Sequence, residues 1–396
     1  MHKRSFGLSL FGGLAIIVAA CGNGATPSPS AASQPPASAP ASAAASTPAS
    51  APASQAATSK LKIGVVTDIG TLNDKNFNEY SFKGAQEGAA AIGAVAPVSI
   101  VPTASTEYAS SIKSFIDQKF DVILTVGFNL GSATAQAAHD NPDLWFVGFD
   151  QSPICVTPEG LPDATFACKG DAKTLLPHYV SLQFAEDQAG YLAGIVAAGA
   201  SKSGTIGAIG GSSICAPCVR YIQGYELGAK SVNAAIKVVT AYVTNDFSAA
   251  AFQDQAGGKT YAENYLAQNK DVDVLFQVAG LTGNGVLDAA CAAKINGIGV
   301  DVDQFLSYPN AGPCLLTSAE KNLQLAISTA IQAVAAGTAT PGDNLWNAAN
   351  DGIAVSEGHD KASAWAADTQ AKLDAALAAM KAGTLTTCPA NCGSAK

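Results

Sequence analysis

Short apolar runs of the strand type alternate with helical patterns along this chain, and this alternation constrains its fold more than any other feature. The first runs are Leu61–Thr67, Val98–Val101, Val122–Val126 and Trp145–Phe149. Strands joined by helices through short loops form βαβ units, and such units build parallel sheets. The sequence therefore predicts an α/β fold.

The alternation restarts after a break, where the pattern of one long helix covers Leu182–Ala200. The folded body, residues 59–396, is longer than a single hydrophobic core usually supports. Both observations predict two doubly wound, Rossmann-like lobes. Strand-like runs of the second half are Thr205–Ile209, Val238–Val243, Val272–Val278 and Gly297–Val300.

The first 20 residues are typical of a secretory signal peptide, because a positively charged start at residues 2–4 precedes an uncharged run over 5–20. That run ends in Val18-Ala19-Ala20-Cys21, which resembles a bacterial lipobox. The resemblance implies that Cys21 is acylated and begins the mature protein. The alternative is an ordinary signal peptide that is cut elsewhere, with Cys21 incidental.

Residues 21–58 consist mainly of Ala, Ser and Pro and carry no charge. Such a segment cannot bury enough apolar surface to offset the entropy of ordering, so we expect a disordered or extended stalk. The anchor and the stalk predict a folded body at the extracytoplasmic side of the cell membrane. The membrane contact is expected through the lipid alone.

The formal net charge of −9 argues against nucleic-acid binding, which needs basic patches. Without Cys21, the even number of remaining cysteines suits an exported protein with disulfide bonds. Many connectivities are open, and pairing of neighbours is the simplest. Cys215-Ala-Pro-Cys218 also resembles a redox motif, but no thioredoxin-like pattern surrounds it. The neighbour pairs are Cys155 with Cys168, Cys215 with Cys218, Cys291 with Cys314, and Cys388 with Cys392.

Polar side chains follow several of the predicted strands directly. Asp68, Asp150 and Asp301 each come right after such a strand, and Gly280–Gly285 follows another. In doubly wound sheets, ligands bind beyond the carboxyl ends of the strands. Carboxylates, amides and glycines at these ends favour a neutral, hydroxyl-rich ligand over a phosphate.

The sequence predicts no enzyme, no metal site and no cofactor. His139, His178 and His359 are isolated and lack metal-binding spacing. Gly257-Gly258-Lys259-Thr260 has no glycine at the earlier P-loop position, and Gly280–Gly285 lacks the order that a dinucleotide site needs. An NAD-dependent enzyme is the alternative that this glycine loop leaves open.

Several sequence blocks together resemble the basic membrane protein family of lipoproteins, which includes purine-nucleoside receptors. The resemblance runs in order from about Lys62 to Asn322. It implies a type I periplasmic-binding-protein fold, a nucleoside ligand, and a permease and an ATPase of an ATP-binding-cassette importer as partners. The blocks are KIGVVTDIGTLNDKNFNEYSFKGAQEG, LQFAEDQAGYLAGIVAA, GTIGAIGGSS, RYIQGYELGAKSVN, VLFQVAGLTGNGV, IGVDVDQ and LLTSAEKN.

The resemblance also implies roles for individual residues. Phe77 and Phe247 would stack on the two faces of a base, and Asn78 and Asp150 would contact its edge. Asp68 matches a further aspartate that contacts the ligand.

Gly280, Asp301 and Lys321 match positions that hold the ribose hydroxyls. Alternatives remain for both aromatic residues: Phe77 could be a core residue, and Phe247 stands in a poorly matched loop. Asp74 is interpreted as a helix N-cap rather than a ligand contact.

Two insert-like features depart from the family pattern. The segment Gln151–Lys173 contains two cysteines and two prolines, and Cys215-Ala-Pro-Cys218 follows another predicted strand. We expect both features to reshape the rim of the ligand cleft.

The type I fold implies that each lobe combines separate stretches of chain. The expected first lobe is 59–176 with 315–337, and the second is 177–314 with 338–396. The expected hinge crossings lie near Leu176–Leu182, Gln304–Leu316 and Gly337–Ala354.

The sequence therefore predicts a monomeric, lipid-anchored protein that captures a nucleoside, most simply a purine, between two lobes for an importer. A surface lipoprotein that senses the ligand without transporting it is the alternative, because both roles use the same cleft.

Overall fold

A computed structural model of the chain describes residues 59–151, 154–165 and 167–395. The predicted signal peptide, the lipidation site Cys21 and the stalk lie outside the described residues. Within the described part, the strands form two six-stranded sheets. The strands are β1 Ile63–Thr67, β2 Val98–Ile100, β3 Val122–Val126, β4 Trp145–Phe149, β5 Tyr179–Phe184, β6 Thr205–Ser212, β7 Lys237–Thr244, β8 Val274–Val278, β9 Asn296–Asp301, β10 Leu315–Lys321, β11 Gly342–Trp346 and β12 Ile353–Val355.

Helices connect nearly all successive strands, as the alternation in the sequence predicts. Most cover one face of a sheet and bury small or apolar side chains there. They are α1 Phe77–Ala91, α2 Tyr108–Asp117, α3 Gly131–Asp140, α4 Ala172–Leu175, α5 Glu186–Ala200, α6 Ala216–Val232, α7 Ala249–Phe252, α8 Gln255–Gln268, α9 Gly280–Ala292, α10 Gln304–Ser307, α11 Leu323–Ala336 and α12 Thr369–Lys381.

The two sheets share one doubly wound topology. The first has the order β11-β5-β4-β3-β1-β2, and the second has the order β12-β10-β9-β8-β6-β7. All neighbours are parallel except β12, which runs antiparallel to β10. The chain order reverses between β1 and β3 and again between β6 and β8. In such sheets these reversal points open the crevice where ligands bind.

The predicted helix over Leu182–Ala200 is wrong in its first turn. Tyr179–Phe184 is strand β5, which pairs in parallel with β4, and the helix begins only at Glu186. A single residue, Ala185, separates the strand from the helix. No glycine or proline stands between the strand and the helix, so the sequence offers no turn signal there.

Three predicted lobe boundaries are wrong, because the pairing of strands β5, β10 and β11 is not visible in the sequence. Strand β11 lies in the first sheet beside β5, although the sequence places 338–396 in the second lobe. Strand β5 lies in the first sheet, although the predicted first segment stops at residue 176. Strand β10 lies in the second sheet beside β9, although the sequence places 315–337 in the first lobe. Only its continuation, helix α11, packs on α1 of the first lobe. The chain crosses between the sheets near Ala185, near Asn322 and between β11 and β12.

Helices α5 and α6 approach each other unusually closely. A Cβ on Gly190 would lie 2.1 Å from the carbonyl oxygen of Tyr221, and one on Gly224 would lie 2.0 Å from that of Asp187. Only glycine leaves room for backbones at this separation. This contact brings the first turns of both helices together beside the cleft.

The cysteines lie next to the partners that neighbour pairing predicts. In each pair the two Cα atoms are between 4.6 and 5.5 Å apart, which is within the range that a disulfide spans. Formation of these disulfides in the exported protein stays a prediction. The pairs are Cys155 with Cys168, Cys215 with Cys218, Cys291 with Cys314, and Cys388 with Cys392.

Candidate functional site

A cavity lies between the carboxyl ends of the two sheets. The first sheet and its loops supply Asp68, Phe77, Asn78 and Asp150 to the wall, and the second supplies Phe247, Gly280, Asp301 and Lys321. The structure therefore brings together all eight residues to which the sequence assigned ligand contacts. Other lining residues are Ile69, Asp74, Gly127, Phe128, Asn129, Cys215, Pro217, Cys218, Tyr221, Ser248, Phe252, Gln253, Val278 and Ala279.

The two insert-like features of the sequence differ in their relation to this cavity. Cys215 and Cys218 line it at the start of α6, as expected for a feature of the rim. No described residue of the segment 151–173 lines it, and Cys168 of that segment is exposed. The expectation that this segment reshapes the rim is therefore wrong for its described residues. Cys314, buried directly before β10, also lies away from the cavity wall.

Two of the lining aspartates have a left-handed backbone. Asp150 has φ 60° directly after β4, and Asp301 has φ 64° at the end of β9. This conformation is uncommon outside glycine, but Asp and Asn adopt it more readily than other residues. Residues held in sparsely populated conformations cluster at functional sites. The left-handed backbone at the ends of β4 and β9 is therefore typical of a functional site.

Three buried carboxylates surround the ammonium group of Lys321, the last residue of β10. Its Nζ lies 2.6 Å from Asp150 Oδ2, 3.0 Å from Glu186 Oε1 and 3.9 Å from Asp301 Oδ1. Asp150 comes from the first sheet and Asp301 from the second, so one cation links both lobes. The carboxylate nearest to Lys321 is that of Asp150, and Asp301 lies further away.

Glu186 and Arg220 belong to this charge cluster and were not predicted from the sequence. Glu186 is fully buried at the start of α5, and its Oε2 lies 2.6 Å from Nε of Arg220 on α6. Neither residue lines the cavity. The sequence did contain a signal for this pair, because an acidic side chain that is buried at the start of a helix needs a partner.

Burial and charge set the protonation of the cluster. Burial raises the pKa of Asp301 to about 7, although Lys321 acts in the opposite direction. Burial raises the pKa of Asp150 as well. Burial would also raise the pKa of Glu186, but Arg220 and Lys321 together hold it below its ordinary value. Glu186 is therefore the permanent anion of the cluster, and Asp301 titrates near neutral pH.

Asp68 is held in place at the reversal point of the first sheet. Tyr108 Oη and Asn129 Nδ2 donate hydrogen bonds to its carboxylate, the latter at 3.1 Å. Gly127, with φ 110°, lies so close that an added Cβ would be 2.7 Å from Asp68 Cβ. Burial raises the pKa of Asp68, while these hydrogen bonds lower it.

Aromatic rings line the cavity from both lobes. Phe77 packs on Phe149 with ring centroids 5.4 Å apart, and Phe247 meets Phe128 edge-on at 4.8 Å. Phe77 thus contacts the core of the first lobe and also lines the cavity. Phe128 was not predicted, although it follows strand β3 closely, as Asp68 and Asp150 follow their strands.

Two oxygen atoms at the cavity have no hydrogen-bond partner among the described residues. They are Asp150 Oδ1 and Asn78 Oδ1, and both residues are buried. Buried acceptors without a partner are costly, so they mark positions for ligand donors. Asp74, by contrast, accepts hydrogen bonds from the backbone N–H groups of Asn76, Asn78 and Glu79. Asp74 thus makes the hydrogen bonds of a capping residue, as predicted, but from two residues before the N-cap position, which Asn76 occupies. Asp74 also lines the cavity.

The two lobes also contact each other directly beside the cavity. Asn284 Nδ2 on α9 donates a hydrogen bond to the backbone oxygen of Asp74 at 3.1 Å. Its own Oδ1 accepts one from Gln304 Nε2 at 2.8 Å. Together with the Phe128–Phe247 contact, this places the lobes in a closed arrangement around the cavity.

The sequence of this protein matches a known family over most of its length. Residues 60–375 match the PnrA-like ABC transporter substrate-binding proteins. The chain belongs to this family. None of the helices in the described part of the PnrA-like chain is long and apolar enough to cross a membrane.

Two curated relatives illustrate the similarity to PnrA-like proteins. The chain is 31% identical over 255 residues to the ABC transporter nucleoside-binding protein BmpA of Lactococcus lactis, covering 62% of this chain and 64% of that protein. It is 32% identical over 258 residues to basic membrane protein D of Borreliella burgdorferi, covering 63% and 65%. The matches therefore span slightly less than two thirds of these relatives.

Solved structures of solute-binding proteins share the fold. An ABC transporter solute-binding protein from Aeropyrum pernix gives a TM-score of 0.68 at 22% identity, covering 82% of this chain and 92% of that chain. One from Conexibacter woesei gives 0.62 at 22% identity, covering 82% and 98%. The PnrA-like chain thus has the two-lobe type I periplasmic-binding-protein fold predicted for it. The family members it resembles are binding proteins rather than enzymes.

Proposed function

We propose that this protein captures a nucleoside, most simply a purine nucleoside, in the cavity between its lobes and delivers it to an ABC importer. The observation that carries the proposal is the convergence of eight residues from both lobes on one cavity. The name of the Lactococcus relative, a nucleoside-binding protein, supports the same ligand class. The protein is expected to act as a monomer that Cys21 anchors at the extracytoplasmic face.

A base would lie between the aromatic rings of the two lobes. Phe77 and Phe247 offer one ring from each side, and Asn78 offers an amide to the edge of the base. A purine presents two π faces and a rim of donors and acceptors, so rings together with amide or carboxylate partners suit it. The free Oδ1 atoms of Asn78 and Asp150 would accept hydrogen bonds from its N–H groups.

The ribose would lie at the charge cluster. Asp301 would accept hydrogen bonds from vicinal hydroxyl groups, and Lys321 would donate to a ribose oxygen. Hydrogen bonds to charged groups are roughly twice as strong as those between neutral groups. Gly280, with φ 53° at the start of α9, leaves the sugar room beside the backbone.

Calorimetric titration with a panel of guanosine, adenosine, inosine and cytidine tests the ligand class. We expect at least one purine nucleoside to bind, with an affinity above that for cytidine and for free ribose. If none of the four releases or absorbs heat while a sugar or an amino acid does, the proposal is wrong.

Replacing Phe247 with alanine is expected to weaken nucleoside binding by roughly 1–3 kcal/mol, the usual contribution of one aromatic–base stack. The folded stability should stay nearly unchanged, because Phe247 is only partly buried. Phe305→Ala is a matched control, since its ring stacks on His359 away from the cavity. Wild-type affinity in Phe247→Ala would contradict the two-sided stack.

Closure around the ligand should be visible in solution. A ligand that contacts both lobes favours the closed state by its differential contacts. Small-angle scattering should show a smaller radius of gyration when the wild-type protein is saturated with ligand. A radius that does not change on saturation would mean that the lobes do not close on the ligand.

A further inference from the structure

The end of the chain forms a short clip on helices α5 and α6. We call residues 387–394 the C-terminal clip; the neighbouring Cys388 and Cys392 close its loop. Gln223 on α6 holds the clip through both ends of its amide. Its Nε2 donates to the backbone oxygen of Ser394 at 2.9 Å, and its Oε1 accepts from the N–H of Gly393 at 2.9 Å.

A second attachment ties the C-terminal clip to α5. Thr387 Oγ1 donates a hydrogen bond to the carboxylate of Asp187, the residue next to Glu186. The clip therefore bridges the first turn of α5 and the second turn of α6, within the stretch where the two helices pack closely. It also lies beyond the family match, which ends at residue 375.

The C-terminal clip lies against Arg220. A Cβ on Gly393 would be 3.5 Å from Arg220 Nη1 and 3.6 Å from its Cγ, so the clip backbone covers this side chain. Arg220 keeps only 20% of its side-chain surface exposed, although it is charged. Covering a charge is favourable only where a partner is close, and Glu186 lies 2.6 Å away.

A series of direct contacts connects the C-terminal clip to the ligand cavity. The clip touches Arg220, Arg220 pairs with Glu186, and Glu186 Oε1 lies 3.0 Å from Nζ of Lys321. Lys321 is the only member of this series that lines the cavity within the described residues. A change in the Arg220–Glu186 pair therefore reaches the ligand site by contact through Lys321 and by charge through Asp150.

We propose that Arg220 and the C-terminal clip are positioning elements for the ligand site, in which the clip excludes water from the Arg220–Glu186 pair and this pair fixes Glu186 against Lys321. Attraction between charges is stronger where water is excluded, and it weakens when water and salt reach the pair. The clip thus sets the ligand affinity without touching the ligand. The proposal rests on nucleoside capture only for its binding measurements.

The pH dependence of binding separates positioning from a purely structural role. Among the described residues, Lys321, Glu186, Arg220 and Asp301 are the charged or titratable groups that face Asp150. Arg220 lowers the pKa of Glu186 and that of Asp150. Weakening the effect of Arg220 therefore raises the pKa of Asp150. Because ionised Asp150 is proposed to accept hydrogen bonds from the ligand, half-maximal affinity then moves to higher pH.

The experiment compares Gln223→Leu, a chain that ends after Thr386, and Arg220→Met by calorimetry with inosine between pH 5.5 and 8.5. We expect Gln223→Leu and the shortened chain to lose affinity about fivefold at pH 7, which corresponds to about 1 kcal/mol. Their half-maximal pH should rise, and that of Arg220→Met should rise further. Adding Gln223→Leu to Arg220→Met should change nothing more, because both act through one contact.

Replacing both Cys291 and Cys314 with serine is the matched control, since it removes a disulfide outside the charge cluster. This double substitution should lower stability without moving the half-maximal pH. An unmoved half-maximal pH in Gln223→Leu, or effects of Gln223→Leu and Arg220→Met that simply add, would overturn the proposal.

A ligand-free readout keeps this proposal separate from nucleoside capture. If the wild-type protein binds no nucleoside, nucleoside capture is wrong, and carbon-13 NMR titration of the Asp150 carboxyl group tests the clip instead. Its pKa must rise in Gln223→Leu and in Arg220→Met. A pKa that stays unchanged in both variants overturns the positioning role.

Discussion

Replacing Lys321 with methionine is expected to lower the free energy of unfolding by about 3–5 kcal/mol, the usual cost of removing one partner from a buried ion pair. Lys321 is 4% exposed and is the nearest cation to Asp150. Methionine keeps the volume of the side chain but leaves buried carboxylates uncompensated. Urea unfolding at pH 8 measures the loss, and inosine binding should disappear with it.

The loss in Lys321→Met should be smaller at low pH. Without the cation, the pKa values of Asp150 and Asp301 rise further above their unfolded values of about 3.9. A carboxyl group whose folded pKa is raised binds its proton more tightly in the folded state. Stability therefore falls as the pH rises from about 4 through the folded pKa, which is already about 7 for Asp301 in the wild type. Unfolding at pH 5 should show a smaller deficit than at pH 8.

Lys113→Met is the matched control for Lys321→Met. Lys113 Nζ lies 2.6 Å from Asp117 Oδ1, the same distance as between Lys321 and Asp150, but its side chain is 68% exposed. An exposed pair of this kind contributes less than about 1 kcal/mol. Equal losses in the two variants would contradict the view that burial gives the Lys321 cluster its importance.

Asp301→Asn is expected to weaken inosine binding about 100-fold, which corresponds to about 3 kcal/mol. The substitution removes the negative charge that would accept the ribose hydroxyl groups, and hydrogen bonds to charged groups contribute about 1.5–3 kcal/mol each. Asparagine tolerates the left-handed backbone at φ 64°, so the fold should persist. The stability at pH 8 should not fall, because an ionised Asp301 lies close to other buried anions.

The ligand itself supplies the control for Asp301→Asn. An analogue of inosine that lacks the two vicinal ribose hydroxyl groups, at the 2′ and 3′ positions, should bind the variant and the wild type with similar affinity, as measured by calorimetry. If the variant loses the same factor for both ligands, Asp301 does not bind the ribose hydroxyls. Asp301 would then be assigned to the base of the ligand instead.

Buried parallel strands were the most predictable part of the fold. Val122–Val126 and Trp145–Phe149 have the predicted bounds, because each run is largely apolar and a glycine or an aspartate follows it directly. Strand β5 was not predictable in the same way. It passes through Ala185 into α5 without a glycine or proline, and only pairing with β4 and β11 reveals it. That pairing joins segments far apart in sequence.

Some residues of the site could likewise be predicted from the sequence, and others could not. Asp68, Asp150 and Asp301 could be predicted because a parallel sheet exposes the residues after its strands. Phe128 and Asn129 also follow a strand closely, so the same rule could have predicted them. Glu186 and Arg220 were not, because their contact depends on the glycines that let α5 and α6 approach. The glycines stand four residues apart in both helices, at 190 and 194 and at 224 and 228, but this spacing does not say which two helices meet.

The exchange of strands between the lobes affects the order in which they can form. Both sheets receive their last strand from one short stretch, β11 and β12, near the end of the chain. A chain exported from its N-terminus exposes the edges of β5 and β10 until Trp346 and Val355 have emerged. Unpaired edges of this kind invite aggregation, and pairings between distant segments form slowly. The two lobes are therefore expected to reach completion together, as one late cooperative step, rather than one after the other.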